Sequence, residues 1–247
     1  MWFLPSLNRR ERLAFCLNAI CTIGCSTPGI VVLGADQFND IAGLPLPNGW
    51  KAVCQNPKDK SLVAVMNRFV AENPNLAWYG FLQDDLQVQT VGWDTKLIQA
   101  AGSTGMASCN DLFKAPLRMT SATVYGGDLI RAFGFWCPTE LEHNFQDDFW
   151  EEVGRKCGNW TVLMEVVAEH QHAFIGKAAN DATYMHGFER SIATRKPGIA
   201  TRPARLTANC WPGLWLWLAA RPKPPARLKA QQYGLARPRG FEPLLPP

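Results

Sequence analysis

Short apolar runs alternate with amphipathic segments through the first hundred residues, and this alternation constrains the chain more than any other feature. The opening MWFLPSLNRRERL reads as a short strand, a Pro-Ser turn and a helix from near Arg9. GIVVLGAD follows as a β-branched strand ending on Asp36, flanked by Pro28-Gly29 and a polar loop. In KSLVAVMNRFVAENP, Leu62, Val65, Phe69 and Val70 fall on one helical face, and Asn73-Pro74 stops the helix. LAWYGFLQ is a further buried strand, and GWDTKLIQAAG a helix carrying Trp93, Leu97 and Ile98 and closed by Gly102. Further on, GGDLIRAFGFW and DDFWEEVGRKCG read as helices and NWTVLMEVVAEHQH as a strand. This β-α-β-α-β-α order predicts an α/β fold with a mostly parallel sheet covered by helices on both faces. Such sheets bind ligands beyond the carboxyl ends of their strands.

Two strands end on acids. Asp36 closes one, and in YGFLQDDLQV an apolar run stops on the adjacent pair Asp84 and Asp85. Neighbouring carboxylates repel and require water, a cation or a hydrogen-bond network. Asp is a hard oxygen ligand suited to Mg2+ or Mn2+, whose remaining ligands are commonly phosphate oxygens. His170 and His172, one residue apart, would share a face of an extended strand, and imidazole suits Mn2+ better than Mg2+. The competing reading of the Asp pair is a solvated turn.

Charge divides the chain. Residues 191 to 247 hold ten Lys/Arg and one acid, Glu242, whereas residues 1 to 190 hold fifteen basic and twenty acidic residues. The expected organisation is a domain over 1–190 and a basic, Pro-rich tail over 191–247, disordered or unselected. Eight scattered Cys without a CxxC pair point to free thiols in a reducing compartment, hence a cytoplasmic location. The apolar run Leu13 to Cys25 follows RRER but holds Asn18 and is too short to span a bilayer, so an amphipathic first helix is expected rather than a leader. The Asn159-Trp-Thr161 sequon has no secretory context and is discounted.

Five pieces together resemble the family 2 glycosyltransferases of GT-A fold, and more closely phage and bacterial members. They are FLPSLNRRERL, VVLGAD, FLQDD followed by GWD, CPTELEHNFQDDFW and EHQHAFIGKAANDATY, spread in family order over roughly residues 2 to 190. The resemblance implies an inverting, metal-dependent transferase that moves a sugar from a nucleotide sugar, a UDP-sugar being favoured, to an acceptor hydroxyl. It implies that Asp36 accepts from the nucleotide base, that Asp85 ligates Mn2+ or Mg2+, and that Asp84 serves the ribose or supports Asp85. The Asp-Asp pair departs from the usual Asp-x-Asp spelling. Of His170 and His172, one would ligate the ion and the other touch phosphate. Lys177 would neutralise the diphosphate, and Gly127 would let backbone approach the donor sugar. Asp147, with Asp148 second, would be the general base at a helix start. Trp93, Trp136 and Trp150 are candidates for a sugar platform, against the simpler reading as core.

Two other classes remain open from the sequence. One is a nucleotidyltransferase using the same carboxylates on a related scaffold. The other is a non-catalytic binding protein whose basic tail contacts nucleic acid or anionic membrane. The transferase reading expects neither a nucleic-acid partner nor a membrane span.

Overall fold

A computed structural model describes residues 1–141 and 146–178, so the tail from 191 lies outside the described residues. The first elements are strand β1 (Trp2–Ser6), helix α1 (Arg10–Ile23), strand β2 (Gly29–Leu33), a 3-10 segment (Ala35–Ile41), strand β3 (Trp50–Cys54) and helix α2 (Leu62–Glu72). Then come β4 (Trp78–Leu82), β5 (Leu86–Val88), α3 (Trp93–Ala101), β6 (Met106–Asn110) and β7 (Ala122–Gly126). The described part closes with α4 (Gly127–Phe133), α5 (Gln146–Cys157) and β8 (Trp160–His170).

All eight strands form one sheet in the order β3-β2-β1-β4-β7-β6-β8-β5. The α/β architecture with helices on both faces is as expected. The sheet, however, is mixed. β3, β2, β1 and β4 are parallel, β7 runs antiparallel to both β4 and β6, β6 and β8 are parallel, and β5 pairs antiparallel with the end of β8. Because β7 is reversed between β4 and β6, the carboxyl ends of β1, β2, β4, β6 and β8 still face the same edge.

The period of two along β1 separates the two cores. Trp2 and Leu4 point to one face, where Leu13, Leu17 and Ile20 of α1 and Trp93 and Leu97 of α3 pack on them. Phe3 points to the other, against Phe69 of α2 and Trp136. There the aromatic cluster continues through Tyr79, Tyr125 and Trp150. Burial on both faces is the usual state of parallel strands, and each large side chain so buried contributes about 1.5–3 kcal/mol. Gly80 in β4 permits this packing: a Cβ there would stand 2.3 Å from the Trp2 ring.

The amphipathic first helix is confirmed as α1, with Leu13, Cys16, Leu17 and Ile20 buried. The seven described cysteines are free thiols. Among the described residues, no helix is long and apolar enough to cross a membrane.

Candidate functional site

Ser6, Asp84, Asp85, Asp111, Ser121 and His170 meet where the carboxyl ends of β1, β4, β6 and β8 converge with the start of β7. Asp84 and Asp85 follow β4 directly and are 4% and 3% exposed, so neither is a solvated turn residue. Ser6 Oγ donates to Asp84 Oδ2 at 2.7 Å. Arg9, in the loop entering α1, spans the pair: Nη1 donates to Asp84 Oδ1 at 2.5 Å and Nη2 to Asp85 Oδ2 at 3.1 Å. Arg12, one turn along, brings Nη1 within 3.9 Å of the same Asp85 oxygen and donates to the Gln171 carbonyl.

Burial raises the Asp84 carboxyl to about 6, outweighing the opposing charge of Arg9, with the Asp85 charge adding to the rise. The pair is thus held by hydrogen bonds and guanidinium charge, with Asp84 titrating well above the usual carboxylate range.

The histidines join the carboxylates. His170 Nε2 lies 3.2 Å from Asp85 Oδ1. His172 falls just beyond β8, not on the strand as expected, because its N–H turns back to the His170 carbonyl at 2.9 Å. The turn still gathers the two rings, with centroids 4.8 Å apart and planes perpendicular. Burial first, then the neighbouring His170, lowers His172 to about 4, so this ring is neutral at physiological pH and offers a lone pair.

The segment between β6 and β7 closes one side. Phe113 lies 5.2 Å from the His172 ring, centroid to centroid. Lys114 Nζ donates to Asp147 at 2.9 Å, and Arg118 bonds both Asp148 and Glu151. Glu151 also accepts from the Met119 N–H at 2.8 Å. These bonds tie the first two turns of α5 to the loop that carries Phe113, which brings Asp147 and Asp148 to the histidine side of the site.

The remaining expected residues are dispersed. Asp36 is exposed in the first turn of the 3-10 segment after β2, on the same edge as the pair but two strands away. That segment is linked to the loop carrying Arg9, since the Asn8 N–H donates to Gln37 Oε1 at 2.9 Å. Lys177 is exposed and ion-paired with Glu169, which neighbours His170 but points to the other side of β8. Gly127 stands at the opposite end of the sheet, because Gly126 pairs with Trp78 at the start of β4. A Cβ on Gly127 would stand 2.1 Å from the Leu76 carbonyl oxygen, so close packing accounts for the glycine there. Trp93, Trp136 and Trp150 are fully buried and form core, which overturns the sugar-platform expectation.

Arg9, Arg12, Ser6, Asp111 and Ser121 escaped the sequence reading. NRRER carried a signal for the two arginines, which are three apart at a helix start. Asp111 and Ser121 flank strands that were not recognised.

An ion is implied by the family resemblance, and the donor set admits one in a restricted way. A carboxylate oxygen and an imidazole nitrogen approach each other at the pair's inner edge, and carboxylate with imidazole suits Mn2+. Among the described residues no group of three His, Cys, Asp or Glu is arranged to hold a metal. Arg9 and Arg12 already face the other Asp85 oxygen, so the described residues offer an ion one carboxylate oxygen and one imidazole nitrogen, and the rest of its shell would have to come from a bound diphosphate and water.

No family model matches the chain, and no curated protein matches it. Among solved structures, one similar chain is the galactosyltransferase LgtC in complex with donor and acceptor sugar analogs, at 10% identity and a TM-score of 0.37. The active-site mutant Q189E of LgtC is similar at 13% identity and a TM-score of 0.38. Each comparison covers 53% of this chain and 59% of the other, so the match spans about three fifths of those structures.

Proposed function

We propose that this chain is a glycosyltransferase of GT-A type, transferring a sugar from a nucleotide sugar, a UDP-sugar being favoured, to an acceptor hydroxyl with inversion. The observation that carries the reading is the buried Asp84–Asp85 pair at the end of β4, backed by Arg9 and faced by His170. It lies at the sheet edge where open α/β sheets bind ligands. The ordered series of sequence motifs around it supports the same reading.

In this reading Asp85 with His170 or His172 would hold Mn2+ or Mg2+, and the chemistry such an ion would supply is neutralisation of the diphosphate charge. Asp84 serves the ribose or fixes Asp85 through the shared Arg9, and Asp36 meets the nucleotide base. Asp147 takes the proton of the acceptor hydroxyl as its oxygen bonds the anomeric carbon and the bond to the diphosphate breaks; Asp148 is second choice for this role. Lys114 holds the Asp147 carboxylate in place, and its charge helps keep the neighbouring His172 neutral. Lys177 would reach the diphosphate only by leaving Glu169. Gly127 supports the domain and not the donor.

The test is product analysis. Incubation with UDP-sugars and a hydroxyl acceptor is expected to release UDP. Release of pyrophosphate from a nucleoside triphosphate would instead establish the nucleotidyltransferase alternative.

A further inference from the structure

The loop between β6 and β7 presents hydrocarbon where a surface loop ordinarily presents polar groups. Within six residues it exposes Leu112, Phe113 and Leu117, at 50%, 37% and 72%. Met164 of β8, 44% exposed, adjoins them, because the Asn110 side chain accepts from the Leu112 N–H at 3.0 Å and donates to the Met164 carbonyl at 3.3 Å. Single exposed apolar side chains are ordinary, whereas a group of them beside a site marks a binding surface.

The fold of the loop does not require these side chains. Its backbone is fixed from inside by the buried Asp111, whose Oδ1 accepts the N–H groups of Phe113 at 3.1 Å, Lys114 at 2.7 Å and Ala115 at 3.0 Å. Leu112 holds a φ of 55°, in the left-handed region that Asn or Gly adopts readily and a leucine does not. An apolar side chain is thus kept there against the backbone preference and out in water, where it adds nothing to the core.

Position tells what the surface would touch. Lys114, in the middle of the loop, holds Asp147, the general base of the proposed reaction, at 2.9 Å. A molecule whose hydroxyl reaches Asp147 therefore lies against this loop. The charges around it are already engaged: Lys114 with Asp147, Arg118 with Asp148 and Glu151, and Arg155 with Glu151 and the Leu117 carbonyl. The hydroxyls of a bare saccharide would need hydrogen-bond partners on such a surface, and what it offers is carbon.

We propose that Leu112, Phe113, Leu117 and Met164 bind the alkyl chain of an amphipathic acceptor whose hydroxyl-bearing head lies at Asp147. The proposal rests on the transferase reading above and names its acceptor class: a hydroxylated head carried on a hydrocarbon chain, not a free sugar.

The experiment is calorimetric titration of methyl, hexyl and octyl β-glucoside, each below its micellar concentration, into the full chain with UDP and Mn2+ present. It is run on the native protein, on the double variant Leu112→Asn with Leu117→Ser, on Met164→Gln, and on Val91→Ser as an exposed apolar control on the turn before α3. The substituted side chains are exposed and Asn suits a left-handed φ, so melting midpoints should not move. Native affinity is expected to rise at least about tenfold from methyl to octyl, as hydrocarbon leaves water. The double variant should flatten that rise to less than about threefold, Met164→Gln should reduce it, and Val91→Ser should leave it intact. No rise in the native protein, an equal rise in the double variant, or an equal loss in Val91→Ser overturns the proposal. Sedimentation with phosphatidylcholine vesicles adds one outcome: vesicle binding that the double variant loses, without any response to monomeric octyl glucoside, overturns it in favour of membrane docking. If the chain-length effect maps to the loop but UDP binds under no condition, the donor-site reading has failed, and the loop is a lipid site without an acceptor role.

Discussion

One guanidinium serves two buried acids: Arg9 lies 2.5 Å from Asp84 and 3.1 Å from Asp85, and its own side chain is 10% exposed. Removing one partner of a buried ion pair leaves an uncompensated charge, which typically costs about 3–5 kcal/mol. Arg9→Met is therefore expected to lower the unfolding free energy by about 3 kcal/mol, measured by urea denaturation. Arg9→Met combined with Asp84→Asn should recover part of the loss. A single mutant as stable as the native protein would mean that Arg9 does not support the pair.

Asp84 sets a pH dependence. Its carboxyl is raised from the usual 3.8 to about 6, chiefly by burial, so the folded state holds its proton more tightly than the unfolded state does. This contribution to stability is fully present below about pH 4 and is lost as pH rises through about 6. Asp84→Asn should remove that decline. Denaturation midpoints measured from pH 4 to 7 on both proteins are expected to differ in slope, and parallel curves would contradict the assignment.

Asp147→Asn is expected to reduce kcat by about 10²–10⁴-fold while leaving UDP affinity unchanged, as for loss of a general base. Asp148, whose carboxyl is raised by burial and by Asp147, is bonded to Arg118, and its Asn variant should lose less than about tenfold. The reverse order of effects would exchange their roles.

Gly127→Ala separates packing from binding. With a Cβ 2.1 Å from the Leu76 carbonyl, the variant is expected to lose about 1–3 kcal/mol of stability. UDP affinity at saturating Mn2+ should not change, because the glycine lies at the other end of β4. A selective loss of UDP binding would place donor contacts where the fold puts none.

Much of the sheet was legible because each recognised strand carries its own burial signal. GIVVL and WYGFL are apolar along their whole length, as a strand covered on both faces must be. MASCN and ATVYG contain polar residues and pair with each other, so the reversed strand that makes the sheet mixed left little local trace. The Asp pair was legible because two carboxylates after an apolar run violate the burial pattern. Asp111 was not, since its environment is created by strands far apart in sequence. The His170–His172 pair was read as a strand face, yet the gathering is done by a turn that no periodicity announces. The tryptophans misled because a ring that fits a sugar also fits a core.

The basic tail divides the transferase from the binding-protein alternative. Deleting residues 191 to 247 should leave nucleotide binding and transfer within about twofold of the full chain, if the site lies wholly in the body. Loss of all binding on deletion, with the body still folded by circular dichroism, would favour a protein that acts through its tail.

The most direct test is calorimetric binding of UDP, with GDP for comparison, in the presence and absence of Mn2+, on the native protein and on Asp85→Asn. UDP is expected to bind only when Mn2+ is present, to bind more tightly than GDP, and to be lost in the mutant. If neither nucleotide binds under any condition, or if Asp85→Asn binds as the native protein does, then the carboxylates at the end of β4 do not form a donor site.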